Sequence, residues 1–125
     1  MYEIIAQIVR RAGATVLRAH DIERSVRQKT LPCDLVTEYD GAVQEQLRRE
    51  LLAAFPDAGF YGEEEAEHDL AGKRAVFIVD PIDGTTNFVR HLHHSCISVG
   101  LCVDGKMEYG AVYNPYFDEL FTAQR

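Results

Sequence analysis

The sequence predicts an α+β domain in which an antiparallel sheet is packed by two amino-terminal helices. Three observations carry that expectation. Apolar residues recur at helical spacing twice before residue 55, apolar strand-like runs dominate from residue 75 onward, and Asp104-Gly105 joins two of those runs with a two-residue hairpin signal. The 125 residues amount to one domain or part of one, and 46% apolar with 26% charged residues is the composition of a folded chain rather than a disordered one.

The first helix runs from Tyr2 to about Ala19, where Ile4, Ile5, Ile8, Val9, Ala12, Val16 and Leu17 repeat three and four apart with Arg10, Arg11 and Arg18 between them. Gly13 interrupts it at a cost of ~1 kcal/mol relative to alanine, which marks a place where another backbone packs close. The polar stretch to Pro32 reads as a loop or irregular strand, with Lys29 as a solvated lysine. Thr37-Glu38-Tyr39-Asp40 has the spacing of a capping box, and Val43, Leu47, Leu51 and Ala54 carry the second helix as far as Phe55-Pro56. On that basis Asp40 is an acid stabilising the first helical turn.

Ala58 to Tyr61 is a short strand that runs through Gly62 into Glu63-Glu64-Glu65, and Ala75 to Val79 is a longer one that ends in Asp80-Pro81-Ile82-Asp83. A run of three acids is usually a solvated loop, but neighbouring strands would bring these acids and the two aspartates together. Glu67 to Lys73 is a polar excursion with a turn at Gly72. Ser95 to Val103, Met107 to Tyr113 and Leu120 to Ala123 complete the sheet as a meander.

A formal charge of −7 argues against a general nucleic-acid or anionic-membrane surface, and no apolar run approaches the roughly 20 residues of a membrane span. Cys33, Cys96 and Cys102 form no C-x-x-C pair. Their odd number, with a start at Met1-Tyr2-Glu3 that has no signal segment, predicts thiols in a reducing cytoplasm, with Cys96 and Cys102 in the core. His91, His93 and His94 invite a zinc site, yet they share one short loop without the well-spaced partners that zinc wants, so they read as surface or hydrogen-bonded histidines.

The most specific chemistry lies at Asp80-Pro81-Ile82-Asp83-Gly84-Thr85-Thr86. Hard carboxylate oxygens from Glu63, Asp80 and Asp83 suit Mg²⁺, Mn²⁺ or Ca²⁺, and Pro81 would fix the backbone so that the Ile82 carbonyl turns toward an ion. Two such ions about 4 Å apart could activate a water and stabilise a leaving oxygen at phosphorus. Asp83-Gly84-Thr85-Thr86 could open a helix whose N–H groups suit phosphate, and Thr85 with Asp40 is the candidate pair for orienting the water. A proline-containing turn with a helix cap accounts for the same residues, and the residues alone leave both readings open.

Asp80 to Phe88 resembles the signature of the inositol monophosphatase family of Mg²⁺-dependent, lithium-sensitive phosphatases. Asp34-Leu35-Val36-Thr37 with Asp40, Gly62-Glu63-Glu64, and Gly110 to Pro115 resemble family segments in the same order. The resemblance implies that Glu63, Asp80, the Ile82 carbonyl and Asp83 are metal ligands for two or three Mg²⁺ ions, with Mn²⁺ as a substitute. It implies that Asp83, Gly84 and Thr85 meet the substrate, that Thr85, Asp40 and Glu63 serve the attacking water, and that Lys29 falls on a mobile loop associated with a third metal. Thr85-Thr86-Asn87-Phe88 resembles the inositol phosphatases more than the related nucleotidases or fructose bisphosphatases, so the expected substrate is a polyol monophosphate. Phosphatases of another sugar phosphate or of a nucleotide 3′-phosphate are the alternatives.

Family members are about twice this length. Residues 1–125 therefore read as the amino-terminal half of such a domain, the first part of a layered α/β sandwich. The carboxyl-terminal half, with a further metal-binding aspartate beside a tryptophan, has no counterpart in a chain without tryptophan. Two other classes of function follow: a non-catalytic half that binds metal or phosphate or serves in assembly, and a truncated product with an exposed apolar face. Dimerisation is common in the family, so a homodimer is a further expectation, with neither nucleic acid nor membrane as partner.

Overall fold

The computed structural model describes residues 1–19, 27–28, 35–65, 68 and 70–125, with backbone alone at 27–28 and 35–36. Lys29, Cys33 and Asp34 lie outside the described residues. Both expected helices form, α1 at Tyr2–Leu17 and α2 at Glu38–Ala54. Between them Arg27–Gln28 (β1) and Leu35–Val36 (β2) pair as a small antiparallel ribbon. The main sheet follows: β3 (Gly59–Gly62), β4 (Ala75–Asp83), β5 (Cys96–Val103), β6 (Lys106–Asn114) and β7 (Glu119–Gln124), hydrogen-bonded in that order, with the short helix α3 (Thr85–Val89) between β4 and β5.

From β4 to β7 the strands form the expected antiparallel meander. The β3–β4 pair is parallel, which makes the sheet mixed. That orientation has a consequence for the acids, because two segments that both follow the carboxyl ends of neighbouring strands meet only when the strands run the same way. The β5–β6 hairpin turns through Asp104 and Gly105 with φ of 48° and 78°, two consecutive left-handed residues as a two-residue hairpin requires.

Strand alternation divides the sheet into two faces. Phe60, Phe77, Val79, Ile97, Val99, Leu101, Ala111 and Tyr113 are buried, on one face, beneath Ile5, Ile8, Val9, Ala12 and Val16 of α1 and Val43, Leu47 and Leu51 of α2. The opposite face carries Tyr61 across from Ile78, Val76 across from Cys102, and Val112 across from Phe121. Tyr61, Ile78, Val112 and Phe121 are exposed. Cys102 lies on this open face and is only half-buried, as is Cys96, so the expectation that both belong to the core is corrected: their parity in β5 is opposite to that of Ile97, Val99 and Leu101.

Gly13 is buried, and an added Cβ there would lie 2.5 Å from Cε1 of Tyr113 and 3.2 Å from Cβ of Pro115. The close neighbour is thus a ring rather than a backbone. The Tyr113 ring has little freedom to retreat, since its hydroxyl donates to Asp118 at 2.8 Å and the Arg10 guanidinium lies over it at 5.7 Å. Gly13→Ala is therefore expected to lower the thermal midpoint, because overpacking of about 1–3 kcal/mol outweighs a helix-propensity gain of about 1 kcal/mol. An unchanged or raised midpoint would show that the ring gives way freely.

Candidate functional site

Glu63 stands one residue past β3, and its N–H donates to the Val79 carbonyl at 3.0 Å, so the parallel pairing continues into the acidic turn. Asp80 is the next residue of β4 after Val79. Its carboxyl lies beside that of Glu63, where a hydrogen bond between the two would need a proton on one of them. Burial pushes Asp80 up to about 8, aided by that hydrogen bond and by the negative charges of Glu63, Asp83 and Glu64. Its Oδ1 is buried and has no hydrogen-bond partner.

Asp83 leaves the sheet differently. Asp80 pairs with Ser98 and Asp83 with Cys96, three steps along β4 against two along β5, so the strand bulges at Pro81-Ile82. Pro81 adds no N–H to the ladder there, Ile82 is 2% exposed and anchors the bulge in the core, and Asp83 faces solvent. Gly84 follows with φ of 89°, and a Cβ at that position would lie 3.1 Å from the His94 carbonyl oxygen. Glycine meets both demands at once.

Thr85 opens α3, a helix of little more than one turn. Its hydroxyl lies 3.0 Å from Oδ1 of Asp40 and 3.0 Å from the Ile82 carbonyl oxygen, so its single proton serves one acceptor at a time. Asp40 is fully buried. Its Oδ2 accepts from the Thr37 N–H at 2.9 Å and from the Thr37 hydroxyl at 2.6 Å, which is the capping interaction the sequence predicts. One carboxylate therefore caps α2 with one oxygen and holds Thr85 with the other.

Among the described residues no group of three or more His, Cys, Asp or Glu side chains already stands together as a metal cage. The chemistry of the donors nevertheless fits a hard cation. A buried oxygen of Asp80 lacks a partner, Glu63, Asp83 and Glu64 surround it with negative charge, and the carbonyl of Ile82 keeps a lone pair beyond the one facing Thr85.

The structure also adds residues that the sequence did not single out. A pocket of about 280 Å³ opens beside Asp83 and Gly84, walled by Asn87, Ser95, Cys96 and Asn114. Ser95 is 6% exposed and its hydroxyl has no partner. Nothing in the local sequence marks it. Gln44 is a different case: a polar residue in the buried stripe of α2, one turn after Asp40, is a visible anomaly, and its amide oxygen accepts the Glu64 N–H at 2.9 Å. A larger hollow of about 540 Å³ lies along β3 with Arg48, Phe60, Glu65 and Lys73 in its wall. It contains neither Asp80 nor Asp83, and its one acid is already held by Arg48 at 2.7 Å.

Three of the described histidines have local contacts. His93 stacks on Tyr116 with centroids 4.7 Å apart, and the His94 carbonyl accepts from Asn87 at 2.9 Å. In the polar excursion before β4, His68 stacks on Tyr61 at 3.9 Å and approaches the Gly62 carbonyl at 2.9 Å.

Known proteins resemble this chain in sequence and in fold. Human inositol monophosphatase 1 is 36% identical over 121 residues, covering 94% of this chain and 44% of that protein. The crystal structure of the extragenic suppressor protein suhB from Bartonella henselae superposes with a TM-score of 0.90 at 34% identity, over 99% of this chain and 48% of that one. Inositol monophosphate-bound SaIMPase-II gives a TM-score of 0.77 at 31% identity, over 98% of this chain and 43% of that one. The chain thus spans less than half the length of these relatives. The inositol monophosphatase family model matches residues 1–125 throughout, and the chain belongs to that family.

Proposed function

We propose that residues 1–125 are the amino-terminal half of an Mg²⁺-dependent phosphomonoesterase domain that hydrolyses a polyol monophosphate such as myo-inositol monophosphate. The observation that carries the proposal is the pairing of two features at one end of the sheet. One is the Glu63–Asp80 carboxyl pair with its unpartnered Asp80 oxygen, and the other is the Thr85 hydroxyl held by Asp40. Inositol monophosphate is also the ligand of the matched SaIMPase-II structure.

In this reading Glu63, Asp80, Asp83 and the Ile82 carbonyl hold the cations, two or three Mg²⁺ with Mn²⁺ as substitute. The bound cations supply charge stabilisation at phosphorus and make a water acidic enough to attack near neutral pH. Thr85 orients that water: its hydroxyl donates to Asp40 and keeps lone pairs that accept from the water, so a proton leaving the water has a path through Thr85 toward a carboxylate. Asp40 keeps this geometry because Thr37 fixes its other oxygen. The backbone N–H groups of Gly84 and Thr85, at the start of a helix where intrahelical acceptors are lacking, receive phosphate oxygens. Lithium sensitivity and a homodimeric assembly in the cytoplasm belong to the same reading.

Phosphate release from myo-inositol monophosphate, measured with and without Mg²⁺ and in the presence of Li⁺, tests it. Asp83→Asn is expected to lower turnover by about a hundredfold or more while leaving the fold intact, since Asp83 is exposed and supports no core contact. Unchanged turnover in that variant would remove Asp83 from the site.

A second reading rests on the Glu63–Asp80 pair and its unpartnered Asp80 oxygen alone, which suit cation binding whether or not hydrolysis follows. The chain would then be a non-catalytic half that binds cation or phosphate weakly, or serves in assembly. Calorimetric titration with Mg²⁺ and phosphate beside the turnover assay separates the two: binding without turnover supports this second reading.

A further inference from the structure

We infer that Gln44 is the positioning residue that sets the acidic turn of Glu63 against the helix of Asp40; this rests on the cation-binding reading above. Three observations converge on it. Gln44 is 6% exposed, on a helix whose buried neighbours are Val43, Leu47 and Leu51, so its amide has been placed in the interior rather than left in solvent. Its Oε1 accepts the N–H of Glu64 at 2.9 Å, the residue directly after Glu63. Gly62, directly before Glu63, has no side chain, and a Cβ there would fall on the Gln44 amide, with Oε1 at 2.5 Å.

The turn is held from both sides as a result. On the sheet side the Glu63 N–H bonds to Val79, and on the helix side Gln44 bonds the next amide and fits against the preceding glycine. Asp40 lies one turn earlier on the same helix and reaches Thr85. The Gln44 amide is thus the spacer between the part of the site that holds cation and the part that holds the water-orienting hydroxyl. It acts by fixing where the Glu63 carboxylate starts from.

A role of this kind separates from a merely structural one by its readouts. Gln44→Met preserves volume and removes the acceptor. It is expected to speed hydrogen exchange at the Glu64 amide and to weaken Mn²⁺ binding about tenfold, as removal of outer-shell partners does, with Mn²⁺ alone titrated against the chain by electron paramagnetic resonance. Gln44→Glu keeps the acceptor and is expected to keep the Glu64 amide slow. Val43→Ala, next to it but facing the core, is the control for lost packing: it should lower the thermal midpoint and leave Mn²⁺ affinity unchanged. Equal Mn²⁺ affinity in wild type and Gln44→Met, or equal loss in Gln44→Met and Val43→Ala, would overturn the inference. Failure of the wild-type chain to take up Mn²⁺ would instead fall on the cation-binding reading itself, and the role of Gln44 would go with it.

Discussion

Replacing Asp40 by alanine is expected to cost about 3–5 kcal/mol of stability, whereas Thr85→Val costs about 1–2 kcal/mol, although each removes one end of the same hydrogen bond. The difference follows from what each change leaves behind. Asp40 is fully buried and receives three donors: the Thr37 N–H, the Thr37 hydroxyl and the Thr85 hydroxyl. Truncation leaves both Thr37 donors facing a cavity, turns the Thr85 hydroxyl to the Ile82 carbonyl as its one acceptor, and removes the cap of α2. Thr85→Val removes one donor at nearly constant volume, and Asp40 keeps the two from Thr37. Asp40→Asn falls between, because an amide of the same shape must present an N–H to one of the donors it replaced. Under the proposed hydrolytic role, Thr85→Val should still lower turnover by about 10²–10⁴, out of proportion to its stability cost. Denaturant unfolding and phosphate release measured on the same three variants check both halves. Comparable stability losses in Asp40→Ala and Thr85→Val would show that the cap contributes little, and retained turnover in Thr85→Val would take Thr85 out of the reaction.

That result bears on how much of the site was legible in the sequence. The Thr37-to-Asp40 spacing predicts the cap, and the cap forms; spacing could not tell that the second oxygen of the same carboxylate crosses 45 residues of sequence to Thr85. Both helices, the hairpin at Asp104-Gly105 and the alternation of buried residues through β5 and β6 follow from periodicity, because one face of each element has a core to meet. The parallel pairing of β3 with β4 does not, since periodicity fixes which residues are inside and says nothing of direction. It was implied only by the demand that Glu63 and Asp80 meet. Cys96 and Cys102 were misplaced for a related reason: a run as apolar as Cys96 to Val103 reads as buried on both sides, whereas the described residues cover one face and leave Ile78, Val112 and Phe121 exposed on the other. Ser95 could not have been found, because its burial is set by Gly84 and the neighbouring strand ends rather than by its own surroundings in sequence.

Asp80→Asn is expected to stabilise the cation-free chain at and above neutral pH, by about 1–2 kcal/mol once solvent screening of a half-buried group is discounted. The carboxyl has an ordinary value of 3.8 and is pushed up to about 8 in the fold by burial, by the hydrogen bond to Glu63 and by the surrounding acids. Across that interval the folded chain holds a proton which the unfolded chain has released. Folding stability therefore falls as pH rises from about 4 to about 8, and the full penalty is present above the upper value. Asparagine cannot ionise, so the variant should lose most of this slope and overtake the wild type as pH rises. A divalent cation bound to the native state has the opposite effect on the wild type, raising its midpoint by mass action and offsetting the repulsion, while the asparagine variant gains little from it. Thermal melts of both proteins between pH 5 and 9, with and without Mg²⁺, test the pair of expectations together. Parallel pH slopes in the two proteins would locate the strain elsewhere than Asp80, and equal Mg²⁺ shifts would show that Asp80 is not where the cation is held. Under the proposed cation-binding role, the stability that the wild type gives up at this carboxylate in the absence of metal is the form in which the chain stores its affinity for one.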